Sequence, residues 1–193
     1  MIESVLTRKQ VSVKMKLTVK ALISAGIVAL AVVLPQLAHL LVGAPAGVRW
    51  LPMYLPVLLG GCLLGVRWGV GIGLAAPLCS FLCTTLAGNP MPAAVRLPFM
   101  MAELAVFGLV SGAFAGKIAR NGAWAFPAVL LAQLSGRGLF LLLVAVFQAM
   151  VPFTPALIAG QIAAGWPGLV LQLLAVPGMV IGLRYFLRED SRV

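Results

Sequence analysis

Acidic side chains are nearly missing from this chain. Four Asp and Glu stand among 193 residues, and three of them (Glu3, Glu189 and Asp190) sit at its ends. Charge of either sign is scarce, at 9% of residues, against roughly a quarter in soluble domains. With 62% hydrophobic residues and a mean hydropathy of +1.11, the chain holds more apolar surface than a soluble fold of this length can hide. The single histidine, His39, excludes a histidine metal cluster. Cys62, Cys79 and Cys83 all lie in apolar runs, with no CxxC or Cys/His spacing, and read as inert buried thiols. There is no HExxH, no Ser/His/Asp grouping and no phosphate-cradling glycine loop followed by Lys-Ser/Thr. No catalytic residue, metal or cofactor is therefore expected, and no nucleotide hydrolysis by the chain itself.

What the chain has is apolar runs. Six stand out, at 18–42, 53–66, 69–87, 94–115, 123–150 and 157–187, against the roughly 20 residues a membrane helix needs. The predicted fold class is an all-α integral membrane protein, a compact bundle of about six transmembrane helices. Residues 1–17 read as a basic cytoplasmic segment, 18–187 as the transmembrane domain and 188–193 as a cytoplasmic tail. The first run reads as a retained helix and not as a cleaved signal peptide. No internal repeat is evident, which speaks against an inverted-repeat transporter.

The formal charge of +10 raises the question of nucleic acid, and the placement of the charges answers it. With the N-terminus inside, eleven Lys and Arg fall on inner flanks and only Arg49 and Arg96 on outer ones, while Arg137 lies within the fifth run. That asymmetry puts both termini in the cytoplasm and the basic flanks against lipid headgroups of the bilayer. A nucleic-acid partner is not expected. The outer connections "VGAPAGVRWLP", "AGNPMPAAVRLP" and "VPFTPA" are rich in Pro and Gly. Such backbone survives at membrane depth only where it packs over the bundle or lines a cavity.

Within "FMMAELAVFGLVSG" (99–112) stands the one internal acid, Glu103. Seven residues below Arg96, it lies roughly 10 Å into the membrane. Arg137, on the next and antiparallel run, lies about 8 Å below the outer edge of the core. The two thus share a depth, and an ion pair between them is geometrically reasonable. Three readings stay open: a staple between helices, a ligand site, and a carboxylate facing an internal groove or another subunit. Gln133 lies one turn before Arg137. Asn89, Gln148, Gln161, Trp166 and Gln172 lie toward the same level, and with Arg49, Trp50 and Tyr54 they suggest a polar, aromatic-walled pocket. Ala21, Ala25 and Ala29 form a small-residue stripe at i, i+4 and i+8, the pattern that lets two membrane helices approach closely.

The stretch "LPMYLPVLLGGCLLGVRWGVGIGLAAPLCSFL", followed by "NPMP" and "MMAELAVFGLVSG", together with the basic N-terminus and the alanine stripe, resembles the substrate-binding S component of an energy-coupling factor (ECF) vitamin transporter. The resemblance covers about 17–187 and rests on patterns of small and apolar residues. It implies a multi-pass protein of a bacterial or archaeal cytoplasmic membrane that binds a water-soluble vitamin or precursor in an outward pocket. It implies as partners a transmembrane coupling subunit, met through Ala21, Ala25 and Ala29, and two ATPase subunits that hydrolyse the ATP. The implied substrate-binding residues are Glu103, Arg137, Gln133, Asn89, Arg96, Tyr54, Trp50 and Gln172. The arginines would suit a carboxylate or phosphate, and Glu103 an amine or a pyrimidine N–H. Two other functions compete: a scaffolding membrane protein of the cell-shape type, and an intramembrane enzyme using Glu103 as acid or base.

Overall fold

The computed structural model describes residues 13–43, 49–88 and 91–189. Among these residues the regular elements are all helical. They are α1 (Val13–Val42), α2 (Tyr54–Leu64), α3 (Val66–Leu86), α4 (Leu97–Ala113), α5 (Ala115–Arg120), α6 (Ala125–Phe147), α7 (Pro155–Ala164) and α8 (Trp166–Glu189), with 3-10 turns at Ala94–Arg96 and Gly122–Trp124. Five helical stretches are long and apolar enough to cross a membrane. The chain is a multi-pass helical membrane bundle.

The helices depart from the six predicted runs in three places. The last run, 157–187, is two helices parted at Gly165. Pro167 explains the break, since it has no N–H to carry the helical hydrogen-bond ladder back into the preceding turn. The fourth run stops at Ala113, and α5 follows as a separate short helix. The first helix begins before the predicted boundary at 17, because α1 already includes Val13. The remainder of the N-terminal basic segment, and residues 190–193 of the predicted tail, lie outside the described residues.

The second run is α2, of 11 residues and so roughly 16 Å long, about half of a 30 Å hydrocarbon core. It sits at the centre. Val57, Leu58 and Cys62 are wholly buried, and α1, α3, α4, α6 and α8 all pack on it. Its sequence, YLPVLLGGCLL, is apolar on every side, which is the pattern of a helix enclosed by others. At its end Gly65 takes φ of 89° and turns the chain directly into α3, a conformation open to glycine at little cost.

Glycine also sets how α2, α3 and α4 meet. A Cβ on Gly69 would strike the Gly108 carbonyl, one on Gly73 the Leu104 carbonyl, and one on Gly61 the Ser111 hydroxyl. The α3 and α4 backbones are in direct contact, and only the Ser111 hydroxyl stands between Gly61 of α2 and α4. In a membrane, where lipid is as apolar as leucine, such close van der Waals packing is a main source of helix association. On the far side of α4, the Phe107 ring lies against Gly136 of α6. The α2–α3–α4 wedge is thus tied to α6, and this fixes where Tyr54, Glu103 and Arg137 point.

Candidate functional site

Tyr54 opens α2, Glu103 lies midway along α4 and Arg137 midway along α6. The three converge. The Tyr54 hydroxyl donates to Glu103 Oε2 at 2.7 Å. Arg137 Nη1 meets Glu103 Oε1 in an ion pair at 2.8 Å and lies 3.4 Å from the Tyr54 hydroxyl oxygen. The guanidinium carbon stands 4.5 Å from the centroid of the Tyr54 ring, a cation–π distance. The Phe107 ring packs edge-on to Tyr54 at 5.2 Å. Glu103 is completely buried, whereas the Arg137 side chain keeps 13% of its surface. The ion pair read from shared depth is therefore present, and its two ends differ: the carboxylate is enclosed and the cation reaches open space.

That space is a cavity of about 420 Å³, within the roughly 300–1,000 Å³ of small-molecule sites. Its wall is drawn from separate elements. Pro35, Gln36 and His39 come from α1, and Leu51 to Tyr54 from the entry to α2. Ser80 comes from α3, and Met91 to Ala93 with Arg96 from the connection ahead of α4. Met100, Arg137 and Phe140 come from α4 and α6, and Ile158, Gln161 and Ile162 from α7. The break at Gly165 matters here, because it makes α7 an independent wall.

Two connections are pinned over the cavity by side chains. The Ser80 hydroxyl donates to the Met91 carbonyl at 3.0 Å, and the Met91 N–H donates to Thr84 Oγ1 at 2.7 Å. On the other side Leu51 has φ of 49°, and Gln172 Nε2 donates to its carbonyl at 3.1 Å. The Arg49–Trp50 backbone lies directly on Gly168, where a Cβ would come within 2.6 Å of the Trp50 carbonyl oxygen. Pro- and Gly-rich backbone is thus held against the bundle by specific bonds, as the apolar surroundings require.

Of the predicted site residues, Tyr54, Arg96 and Arg137 line the cavity. Arg96 Nη2 donates to Gln161 Oε1, and its guanidinium lies over the Phe153 ring. Glu103 does not reach the cavity; it stands behind Arg137 and Tyr54 and orients both. Gln133 and Gln172 are not on the cavity wall. Both are buried, and Gln133 Nε2 donates to the Leu169 carbonyl at 3.0 Å and to Gln172 Oε1 at 3.2 Å. They tie α6 to α8 and to Leu51 as interhelical glue does, because Gln133 turns toward α8 and Gln172 toward α6 and Leu51. Trp50 is partly exposed and off the cavity wall. Asn89 lies outside the described residues. Sequence reasoning gave no cavity role to Gln36 or to His39. A polar residue just after Pro35, inside an apolar helix, was the available signal.

Gln133→Leu is accordingly expected to lower stability by about 1–3 kcal/mol, the penalty of leaving buried polar partners unpaired. Binding of any cavity ligand should stay within about twofold once the folded fraction is allowed for. Thermal unfolding and a binding titration on the same preparation check both halves.

The arrangement holds a buried guanidinium in one orientation, backed by a carboxylate and a phenol, at the edge of a mostly apolar chamber. It can present fixed hydrogen-bond donors to a small molecule. It is not built for acid–base chemistry through Glu103, whose two oxygens face Arg137 and Tyr54 and not the chamber. Among the described residues no group of three or more His, Cys, Asp or Glu is placed to hold a metal ion. No protein-family model, no curated protein and no solved structure matches the chain.

Proposed function

We propose that this protein is the substrate-capture subunit of an importer of the ECF type, binding a small water-soluble solute, such as a vitamin or its precursor, in the cavity beside Arg137. One observation carries the reading: a membrane-buried cation, oriented from behind by Glu103 and Tyr54, lines a chamber of ligand size. Ionisable groups inside membrane bundles mark ligand and ion sites by default, because their placement there is costly. A scaffold has no use for the chamber. The basic residues Arg67, Lys117, Arg120 and Arg184 gather away from the cavity wall, and Arg184 Nη2 donates to the Arg120 carbonyl. By the positive-inside rule that end faces the cytoplasm and the chamber faces out. ATP hydrolysis belongs, in this reading, to two partner ATPases joined through a coupling subunit.

The docking face we assign is the alanine stripe. Ala21, Ala25 and Ala29 are all exposed on α1, while Ser24, Ile27 and Ala31 of the same helix are buried. Ala25→Leu is expected to abolish uptake by the assembled transporter while leaving solute binding to the isolated subunit unchanged. Normal uptake by that variant would remove the stripe from the docking role. The reading as a whole is tested by native mass spectrometry of the protein released from detergent. A retained small molecule supports solute capture. An empty protein that also fails to respond to a vitamin panel in thermal unfolding returns the chain to the scaffolding class.

A further inference from the structure

Arg137 uses only part of its hydrogen-bonding capacity within the protein. Nη1 faces Glu103 and Tyr54. Nε and Nη2 are buried and have no hydrogen-bond partner among the described residues. These two nitrogens form one edge of the guanidinium plane, and their N–H bonds run parallel. Two parallel donors at that spacing match the two oxygens of a carboxylate. Buried donors left without an acceptor are strongly disfavoured, so this edge suits an acceptor that a ligand brings. Gln36 Nε2, on the same cavity wall, is a further buried donor without a hydrogen-bond partner among the described residues.

Charge points the same way. Among the described residues no acidic side chain lines the cavity, whereas Arg96 and Arg137 both do. With Glu103 behind the wall, two cations face one anion, and a single added carboxylate makes the set neutral. An amine would find no carboxylate on the described wall. The rest of the wall is largely apolar, with Met53, Met100, Phe140, Ile158 and Ile162 around the chamber. We infer that the ligand is a small monocarboxylate with an apolar body, its acid group seated on the Nε–Nη2 edge of Arg137. This deepens the solute-capture reading and rests on it.

The test uses the full chain in phosphatidylcholine nanodiscs, offered an equimolar mixture of 4-phenylbutyrate, 4-phenylbutyramide and 4-phenylbutylamine. Bound masses are read by native mass spectrometry. The expected result is retention of the acid over the amide by about tenfold or more, with no retained amine. Arg137→Lys keeps the positive charge and loses the fork, and is expected to erase the preference for acid over amide. Equal retention of acid and amide, preference for the amine, or an acid preference that survives in Arg137→Lys would each overturn the inference. Should Arg137→Lys fail to fold, Gln36→Leu takes its place, with an expected loss of at least threefold in acid retention, and unchanged retention counts against the inference. Displacement of 4-phenylbutyrate by phosphatidylglycerol nanodiscs would assign the edge to a lipid phosphodiester and overturn the soluble acid. If the mixture is ignored but a neutral solute co-purifies, the carboxylate fails and solute capture stands; if nothing binds by either route, both fail.

Discussion

Glu103→Gln is expected to destabilise the protein by about 3–5 kcal/mol, because it strips a buried guanidinium of its counter-charge. The variant should melt far below the wild type and lose ligand affinity at the same time. A single variant cannot separate a staple from a site, but the pair can. Replacing both partners, Glu103→Gln with Arg137→Met, removes the uncompensated charge and is expected to recover most of the lost stability. Binding should not return, since the guanidinium at the cavity wall is gone. Recovery of both stability and binding in the double variant would mean that the ion pair serves the fold alone. Thermal unfolding and a titration on the wild type, both singles and the double give the complete cycle.

The second large effect is expected far from any ligand. Gly108→Ala would drive a methyl group into the Gly69 carbonyl and to 2.9 Å from the Val70 nitrogen. These are backbone atoms and cannot swing aside, so α3 and α4 must separate. The expected outcome is loss of folded, monodisperse protein in detergent. Gly71→Ala is the matched control. Gly71 is exposed on α3 and a Cβ there meets nothing within 4 Å, so the change should be neutral or should stabilise the helix by up to about 1 kcal/mol. Size-exclusion profiles of the two variants side by side decide the matter. A monodisperse Gly108→Ala would show that the glycine contact does not hold the wedge together.

The membrane class was legible from composition, and the Glu103–Arg137 pair from helical rise alone, since depth in a bilayer is nearly one-dimensional. Rotation about each helix was not legible. Gln133 and Arg137 are one turn apart on α6, yet the first faces α8 and the second the cavity, and only the packing of neighbours distinguishes them. The same gap hid Glu103's position behind the wall. The break at Gly165 was masked because apolar character continues unbroken through Ala163, Ala164 and Leu169, so hydropathy ran on where the helix did not. The wall formed by α7 was lost with it. The glycines of α2, α3 and α4 are visible in the sequence, but which helix each glycine meets follows from the fold and not from the spacing.

The glycine wedge also divides the molecule into a part that resists change and a part that accepts it. Gly61, Gly69, Gly73 and Gly108 admit no larger side chain, and none of them touches the cavity. Met100, Phe140, Ile158 and Ile162 shape the chamber, and none of them belongs to that contact. Descendants of such a chain could exchange one cargo for another through a few swaps at the second set. The architecture would pass unaltered from one to the next, so lineages with different cargoes would differ most where the cargo sits and least where the backbones touch.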